Sequence, residues 1–297
     1  MAAIILKRTI YTGFLALCLW MTLPAFAEPH QGLFREISRE GKTGWILGAV
    51  HTGRPDYFPL RDAIEEAFAH SDVLLFEMDE QSPASDEQQR ILQRLTLYPH
   101  PDRIQNHISA ETRKRLTQAL GDYSIPLQAV ENQLPAFIAL MLTTLQMQQA
   151  GYSAEFGIDG HLIQRARGTK TLRPIETFEE QIQLIANLPQ TEKLLVDAMD
   201  DLHDNPDLWK SIEDTWHRGD LERLEQLVLI EPLQEDPSQQ DLFNAMFFDR
   251  NPRMAKAFDT CIQSGRRCFM TVGAGHLPGK EGILKWLQDQ GYTVQAR

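Results

Sequence analysis

Two histidines end the same four-residue pattern, Gly-x-x-His, near opposite ends of the 297-residue chain. His51 ends the segment GAVH at positions 48–51, and His276 ends GAGH at positions 273–276. Each histidine follows a predicted strand, where a loop can present it from a rigid sheet, and glycine permits a tight turn. If the two strands are neighbours, the two imidazoles converge. With a carboxylate they would form a hydrolytic metal site that activates water, and we predict His51 and His276 as its ligands.

Two glutamates also stand at the ends of predicted strands. Glu77 follows the apolar run 73–76, and Glu176 follows the predicted strand 171–175. We predict Glu77 as the third ligand of a divalent ion such as Mn²⁺, Co²⁺ or Zn²⁺, and either glutamate could transfer protons. Arg250 could orient a substrate carboxylate or stabilise developing negative charge. The predicted catalytic residues are therefore Glu77, Glu176 and Arg250.

A purely structural role is the alternative for each of these residues. A single histidine at a strand end is more often a hydrogen-bonded structural residue than a ligand. Glu77 ends a very apolar strand, where burying a carboxylate without a partner is costly. A salt bridge from Arg250 would satisfy that carboxylate without any catalysis.

The composition and the absence of standard motifs exclude several other functions. The chain has 29 Lys and Arg against 41 Asp and Glu, a net charge of −12 and no long basic run. This excludes a nucleic-acid binder, because phosphate neutralisation needs clustered cations. Neither H-E-x-x-H nor G-x-S-x-G occurs. The segment GAGHLPGK at 273–280 resembles a phosphate loop, but its glycine spacing differs and Glu281 replaces the required Ser or Thr.

The apolar pattern predicts strands towards both ends of the chain and helices between them. A hairpin is expected over 33–47, and Pro59 is expected to open a helix whose apolar residues recur at helical spacing. Positions 84–248 are nearly all helical in pattern, with a central buried helix at 134–147. The predicted strand 171–175 interrupts these helices.

The carboxyl-terminal part repeats the order of strand, Gly-x-x-His and helix. Asn251 with Pro252 has the signature of a helix N-cap followed by a first-turn proline. A strand is predicted over 268–272, Pro278 is expected to begin a last helix, and a short strand is expected at 292–294. We therefore predict a mixed α/β (α+β) fold, with a small central sheet built from two Gly-x-x-His halves and a large helical insertion.

Residues 1–27 have the pattern of a cleaved signal peptide. A positively charged start precedes an apolar stretch at 10–23, and the sequence Ala-Phe-Ala places small residues at the two positions that signal peptidase reads. Cleavage before Glu28 would leave residues 28–297 as a single domain, exported to the bacterial periplasm and without a membrane span. The alternative is a membrane anchor that stays attached.

The cysteines predict one structural disulfide. The chain has three, and cleavage of the signal peptide would remove Cys18. Cys261 and Cys268 then remain as an even pair in an oxidising compartment, where a disulfide is favoured over two free thiols. Such a bond would close a short loop and contribute about 2.5 kcal/mol on the chain-entropy model.

Three blocks of sequence resemble the TraB/GumN family. The first comprises GAVHTG with the following YFPL and LFEMD, and the second comprises FGIDGHL with PIET. The third comprises RNPRMA and VGAGHLPG, followed by GYTV. The blocks occur in order over essentially all of the predicted mature chain, which is thereby identified as a member of this family.

This resemblance implies a central sheet with the paired motifs in one cleft. The family includes the Tiki proteins, which are membrane-linked metalloproteases. It is similar in fold to erythromycin esterases and to haem-binding lipoproteins of the ChaN type. Position by position, the motif histidines match His51 and His276, and the strand-end carboxylate matches Glu77.

Other positions match the family without an assigned role. The recurrent polar positions are Asp159, Glu176 and Arg250. We expect three residues around the ligands to support them, namely Gly48, Asp159 and Gly273.

The leading hypothesis is an exported, metal-dependent hydrolase that acts on a peptide or another small extracytoplasmic substrate. One alternative is a non-catalytic periplasmic protein that binds a peptide, haem or a polysaccharide, with a histidine as axial ligand in the case of haem. Another is a metal-free esterase that uses a histidine as general base. Loss of activity in EDTA is expected for the metal-dependent hydrolase and not for the metal-free esterase.

Overall fold

The computed structural model of the chain describes residues 32–79, 84–204 and 206–297. The predicted signal peptide at 1–27 lies outside these ranges, so its cleavage stays a prediction. Within them, no helix is long and apolar enough to cross a membrane.

The strands of the described ranges form one mixed sheet of six. They are β1 Leu33–Arg39, β2 Lys42–Ala49, β3 Val73–Phe76, β4 Thr171–Pro174, β5 Cys268–Gly273 and β6 Thr293–Ala296. Their order across the sheet is β4-β3-β5-β2-β1-β6. The first four in this order are parallel, while β1 runs antiparallel to both β2 and β6. The mixed α/β class is confirmed, and the strands that precede the two Gly-x-x-His motifs are neighbours.

Helices make up most of the connection between β3 and β5. The helices of the described ranges are α1 Asp62–His70, α2 Asp86–Leu95, α3 Ala110–Asp122, α4 Pro135–Gln149, α5 Ile158–Ala166, α6 Phe178–Ala186, α7 Thr191–Asp204, α8 Pro206–Arg218, α9 Leu221–Glu225, α10 Glu231–Glu235, α11 Gln240–Phe243, α12 Asn251–Gln263 and α13 Ile283–Asp289. Several of the helices, including α1, α5, α12 and α13, pack against the sheet. Two π-helical turns, Gln226–Ile230 and Asn244–Phe248, follow α9 and α11. The predicted helical insertion is therefore present, with β4 inside it.

The hairpin of β1 and β2 turns at Glu40 and Gly41, which have positive φ angles of 53° and 76°. Two-residue loops with positive φ at both positions match the right-handed twist of the flanking strands. The register pairs Leu33 of β1 with Gly48 of β2, which is the first residue of the first Gly-x-x-His motif. This motif therefore begins inside β2.

Two helices begin later than the sequence predicts. α1 begins after Pro59 and Leu60, because Arg61 still has an extended backbone with φ −62° and ψ 152°. α13 begins after Pro278, because Gly279 has a φ of +86°, which a right-handed helix does not contain. A turn therefore lies between the second motif and the last helix.

The predicted N-cap at Asn251 is wrong. Arg250 before it already has helical angles, φ −89° and ψ −33°, and α12 follows the π-helical turn Asn244–Phe248 after only two residues. The chain therefore enters α12 from a helical conformation, and the Asn251 side chain bonds outside the helix.

Two clusters of buried apolar side chains form the core of the described residues. The larger includes the sheet and residues of α1, α5, α12 and α13, with Phe258 and Phe269 fully buried. The smaller joins α3, α4 and α7, with Ile138 and Leu142 of α4 buried. The helix predicted over 134–147 is present as α4, and six of its residues are buried. It lies in the smaller cluster, and Leu140 on its outer side is 46% exposed.

Cys261 near the end of α12 forms a disulfide with Cys268 at the start of β5. Their Cα atoms are 6.2 Å apart. The predicted pairing is confirmed, and it ties α12 to the strand that leads to His276.

Candidate functional site

The three predicted metal ligands converge on Gly273, the last residue of β5. Because β5 lies between β2 and β3, the carboxyl ends of these three parallel strands meet at one edge of the sheet. A β-carbon built on Gly273 would lie 3.2 Å from Glu77 Oε1, 3.4 Å from His51 Nε2 and 3.5 Å from His276 Cδ2. A residue without a side chain leaves this space open. Both motif histidines and the strand-end carboxylate therefore surround one point.

His51 lies on the accessible side of this point, with 62% of its side chain exposed. Its Nδ1–H donates to Asp159 Oδ2 at 2.9 Å. A carboxylate that binds Nδ1 holds the ring in place and presents Nε2 on the opposite side, where the space at Gly273 lies. Asp159, one of the residues expected to support the ligands, thus orients His51.

The loop that carries His51 contacts the loop that leads into α5, the helix of Asp159, through backbone atoms. The Gly53 N–H donates to the Ser153 carbonyl at 3.0 Å. A β-carbon on Gly157 would lie 2.4 Å from the carbonyl oxygen of His51, and one on Gly53 would lie 2.2 Å from a carbonyl oxygen of the other loop. Glycine is required at both positions, because a backbone atom cannot rotate aside as a side chain can.

A carboxylate on α8 holds the same two loops. The Tyr57 hydroxyl donates to Glu213 Oε1 at 2.8 Å, the Tyr152 hydroxyl donates to Oε2 at 2.6 Å, and Arg54 Nε lies 3.7 Å from Oε1. Burial alone would raise the pKa of Glu213, but the two hydroxyl donors and Arg54 lower it below its ordinary value. No sequence motif indicates this cluster, because its members are far apart in the chain.

His276 lies on the buried side of the site and is 3% exposed. Its Nδ1–H donates to Asn251 Oδ1 at 2.7 Å, and its Nε2 lies 3.3 Å from Arg250 Nη1 and 3.7 Å from Glu77 Oε1. The Phe247 ring packs beside the imidazole, with 5.3 Å between centroids. Burial lowers the pKa of His276 to about 4, although the charge of Glu77 opposes this shift, so the imidazole is neutral near pH 7.

Arg250 connects the two strand-end glutamates. Its Nε and Nη2 donate to the two oxygens of Glu176 at 2.9 and 2.6 Å, and Nη2 also donates to Glu77 Oε2 at 2.7 Å. Gln181 Nε2 donates to Glu176 Oε2 at 2.9 Å and to Glu77 Oε2 at 3.3 Å. The salt bridge from Arg250 to Glu77, the basis of a purely structural role for Glu77, is therefore present. Both carboxylate oxygens of Glu176 accept hydrogen bonds.

Glu77 stays ionised in this environment. Its Oε1 accepts the Gly273 N–H at 2.6 Å. Burial alone would raise its pKa, but His276, His51 and Arg250, together with the Gly273 N–H, lower the pKa of Glu77 to about 2. A carboxylate with so low a pKa suits a cation but is a poor proton acceptor near neutral pH. The surroundings thus favour Glu77 as a ligand over Glu77 as a base.

Comparison with known proteins shows the family of the chain. The model of the TraB/PrgY/gumN family matches residues 33–296. The chain belongs to this family. Uncharacterized protein YbaP of Escherichia coli (strain K12) is 25% identical over 245 residues, which cover 82% of this chain and 87% of that protein. The protein of the same name from Shigella flexneri gives the same values. No solved structure matches the chain significantly.

The donor set of this TraB/PrgY/gumN protein fits a divalent metal ion in its chemistry. His51 and His276 each have Nδ1 bound to an oxygen acceptor, the usual arrangement of histidines that ligate through Nε2, and Glu77 adds an ionised carboxylate. The three groups do not form a finished ligand set. In the part of the chain that the structure describes, no group of three or more His, Cys, Asp or Glu side chains is arranged to hold an ion.

Two glycines of the TraB/PrgY/gumN motifs have packing roles. A β-carbon on Gly48, one of the residues expected to support the ligands, would lie 2.8 Å from Leu277 Cδ1. One on Gly275 would lie 2.8 Å from Phe247 Cε1. The first contact lets β2 approach the turn that carries His276, and the second brings an aromatic ring against the motif.

Sequence reasoning missed two residues of this TraB/PrgY/gumN site. Asn251 has a pattern that predicts a helix cap, which hides its contact with His276. Phe247 lies in the π-helical turn Asn244–Phe248, and such turns are frequent at functional sites but have no reliable sequence signal.

Proposed function

We propose that this TraB/PrgY/gumN protein is a hydrolase that holds a divalent ion, Mn²⁺, Co²⁺ or Zn²⁺, through His51, His276 and Glu77, with peptides as the substrate class. The observation that carries the proposal is the convergence of these three groups on the open space at Gly273. The oxygen acceptors at both Nδ1 atoms support it, because a neutral imidazole that donates from Nδ1 carries its lone pair on Nε2.

When bound, such an ion supplies Lewis-acid polarisation of the substrate carbonyl and activation of water. The protein contributes orientation and charge. Asp159 and Asn251 hold the two imidazoles, and Glu77 keeps its negative charge beside them. Arg250 brings a buried positive charge to the same site, where it can stabilise negative charge that develops on the substrate.

The exposed position of His51 supports a second candidate, a metal-free esterase with His51 as general base. The Asp159 carboxylate accepts the Nδ1–H, as the acidic member of a catalytic triad does, and presents Nε2 to substrate. Treatment with EDTA separates the two candidates. Activity that survives EDTA would favour the His51–Asp159 base.

Substituting His276 with alanine is expected to abolish metal binding. The wild-type protein should bind about one divalent ion per chain, measured by calorimetric titration and elemental analysis, while the variant should lose it because one of three ligands is gone. Circular dichroism checks that the variant is folded.

His161→Ala is the matched control for that substitution. His161 lies on α5 and packs on the Phe58 ring at 4.2 Å between centroids, outside the ligand set. This variant should keep its metal. An unchanged metal content in His276→Ala would contradict the ligand assignment.

We also propose that the chain is exported to the bacterial periplasm after cleavage before Glu28. The disulfide between Cys261 and Cys268 supports export, because such bonds persist in oxidising compartments.

Export predicts a defined mature terminus. Intact-mass measurement of protein from a periplasmic fraction should give a chain that starts at Glu28. Ala27→Trp should block cleavage, because signal peptidase requires a small residue there, and the precursor should accumulate in the membrane fraction. Full-length protein in the cytoplasm would contradict this proposal.

A further inference from the structure

Asn251 is a buried residue that joins two segments of the site. It is the first residue of α12 and is 1% exposed. Its Nδ2 donates to the carbonyl oxygen of Glu281 at 2.9 Å, and its Oδ1 lies 2.7 Å from His276 Nδ1. Both partners lie outside its own helix, so the side chain bridges the turn after the second motif and the motif histidine itself.

The Glu281 carbonyl determines which way the amide of Asn251 points. A backbone carbonyl can only accept a hydrogen bond, so the NH₂ group must face Glu281. The amide oxygen is then the atom that faces His276. Because an amide oxygen can only accept, His276 Nδ1 must carry the hydrogen.

The other side of the ring leads to the same tautomer independently. Arg250 Nη1 lies 3.3 Å from His276 Nε2, and a guanidinium nitrogen can only donate. The Nε2 atom must therefore carry the lone pair.

We propose that Asn251 is a positioning residue that fixes His276 in the tautomer with hydrogen on Nδ1 and the lone pair on Nε2. The lone pair then lies beside Glu77 and Arg250 in the site, and its use for ligation rests on the proposed function. The neutral amide suits this position, because an aspartate here would add a third carboxylate near Glu77 and Glu176 in a buried place.

The tautomer can be measured directly in the metal-free protein. Long-range ¹H–¹⁵N correlation spectra of purified, ¹⁵N-labelled wild-type protein should show His276 with a protonated Nδ1 and an unprotonated Nε2. In Asn251→Leu the acceptor is lost, so a population with hydrogen on Nε2 should appear. Asn251→Asp keeps an acceptor at Nδ1 and should therefore keep the hydrogen on that nitrogen.

Calorimetric titration with Zn²⁺ gives the functional readout. Asn251→Leu should weaken binding by about 10–100-fold, the usual effect of removing the group that orients a ligand. Gln146→Leu is the matched control. Gln146 of α4 is another buried amide, and its Nε2 donates to the carbonyl oxygen of Ala198 at 2.7 Å. The control should lose stability without any change in the His276 signals or in Zn²⁺ affinity.

Two results would overturn the proposal. One is a wild-type protein with hydrogen on Nε2 of His276, which is decisive even if Asn251→Leu does not fold. The other is a folded Asn251→Leu with the wild-type tautomer. Absence of Zn²⁺ binding in the wild type would contradict the proposed function alone, since the spectra are recorded without metal.

Discussion

Replacing Arg250 with alanine is expected to lower the free energy of unfolding by about 3–5 kcal/mol, the usual cost of leaving buried charges without their partner. The Arg250 side chain is 12% exposed, and those of Glu77 and Glu176 are 12% and 6% exposed. Without the guanidinium, two buried carboxylates that share Gln181 would lose their counter-charge. Urea unfolding followed by circular dichroism measures the change.

Arg253→Ala is the matched control for this substitution. Arg253 lies on α12 and forms a salt bridge with Glu180, but both side chains are 48% exposed. Removing such a surface pair costs less than about 1 kcal/mol. Adding Glu176→Gln to Arg250→Ala should recover part of the lost stability, because it removes one of the unpaired charges. Equal effects of the two arginine substitutions would contradict a buried charge network.

Gly157→Ala is expected to separate His51 from Asp159. The new β-carbon would lie 2.4 Å from the His51 carbonyl oxygen, and that oxygen can move away only if its loop moves. Overpacking of this kind should lower the free energy of unfolding by about 1–3 kcal/mol. If the proposed metal site is present, Zn²⁺ affinity should also fall about 10–100-fold, because Asp159 no longer orients the imidazole.

Gly160→Ala tests whether the effect comes from the backbone contact. Gly160 lies on α5, the helix that begins directly after Gly157, and nothing lies within 4 Å of a β-carbon built there. Alanine is favoured over glycine inside a helix by about 0.5–1 kcal/mol, so this variant should be slightly more stable and bind Zn²⁺ normally. Similar losses in both variants would show that any side chain added at the start of α5 disturbs the site.

The strands that carry the site are predictable from local pattern. The run 73–76 is a strand as predicted, and the strand predicted over 268–272 ends one residue later, at Gly273. A strand buried on both faces shows a continuous apolar run, which is a strong local signal. The starts of α1 and α13 are less predictable, because a proline permits a helix start but the conformation of the next residues decides it.

The contacts of Arg250 are not predictable in the same way. The sequence singles out Glu77, Glu176 and Arg250 as polar residues of interest. However, Arg250 lies 74 positions after Glu176 and 173 positions after Glu77 in the chain. Whether such groups bind each other or the substrate depends on how the helical insertion returns to the sheet. The structure pairs them, which makes Glu176 a partner of Arg250.

By itself, the sequence determined the strands, the two motif histidines, the cysteine pair and the family, because each depends on residues that are close together or few in number. Only the tertiary structure decided that β5 lies between β2 and β3, and that Asn251 bonds to His276 instead of capping α12. The physical reason is that these arrangements depend on the sum of many contacts between distant segments, and no local pattern of side chains records which segments will meet.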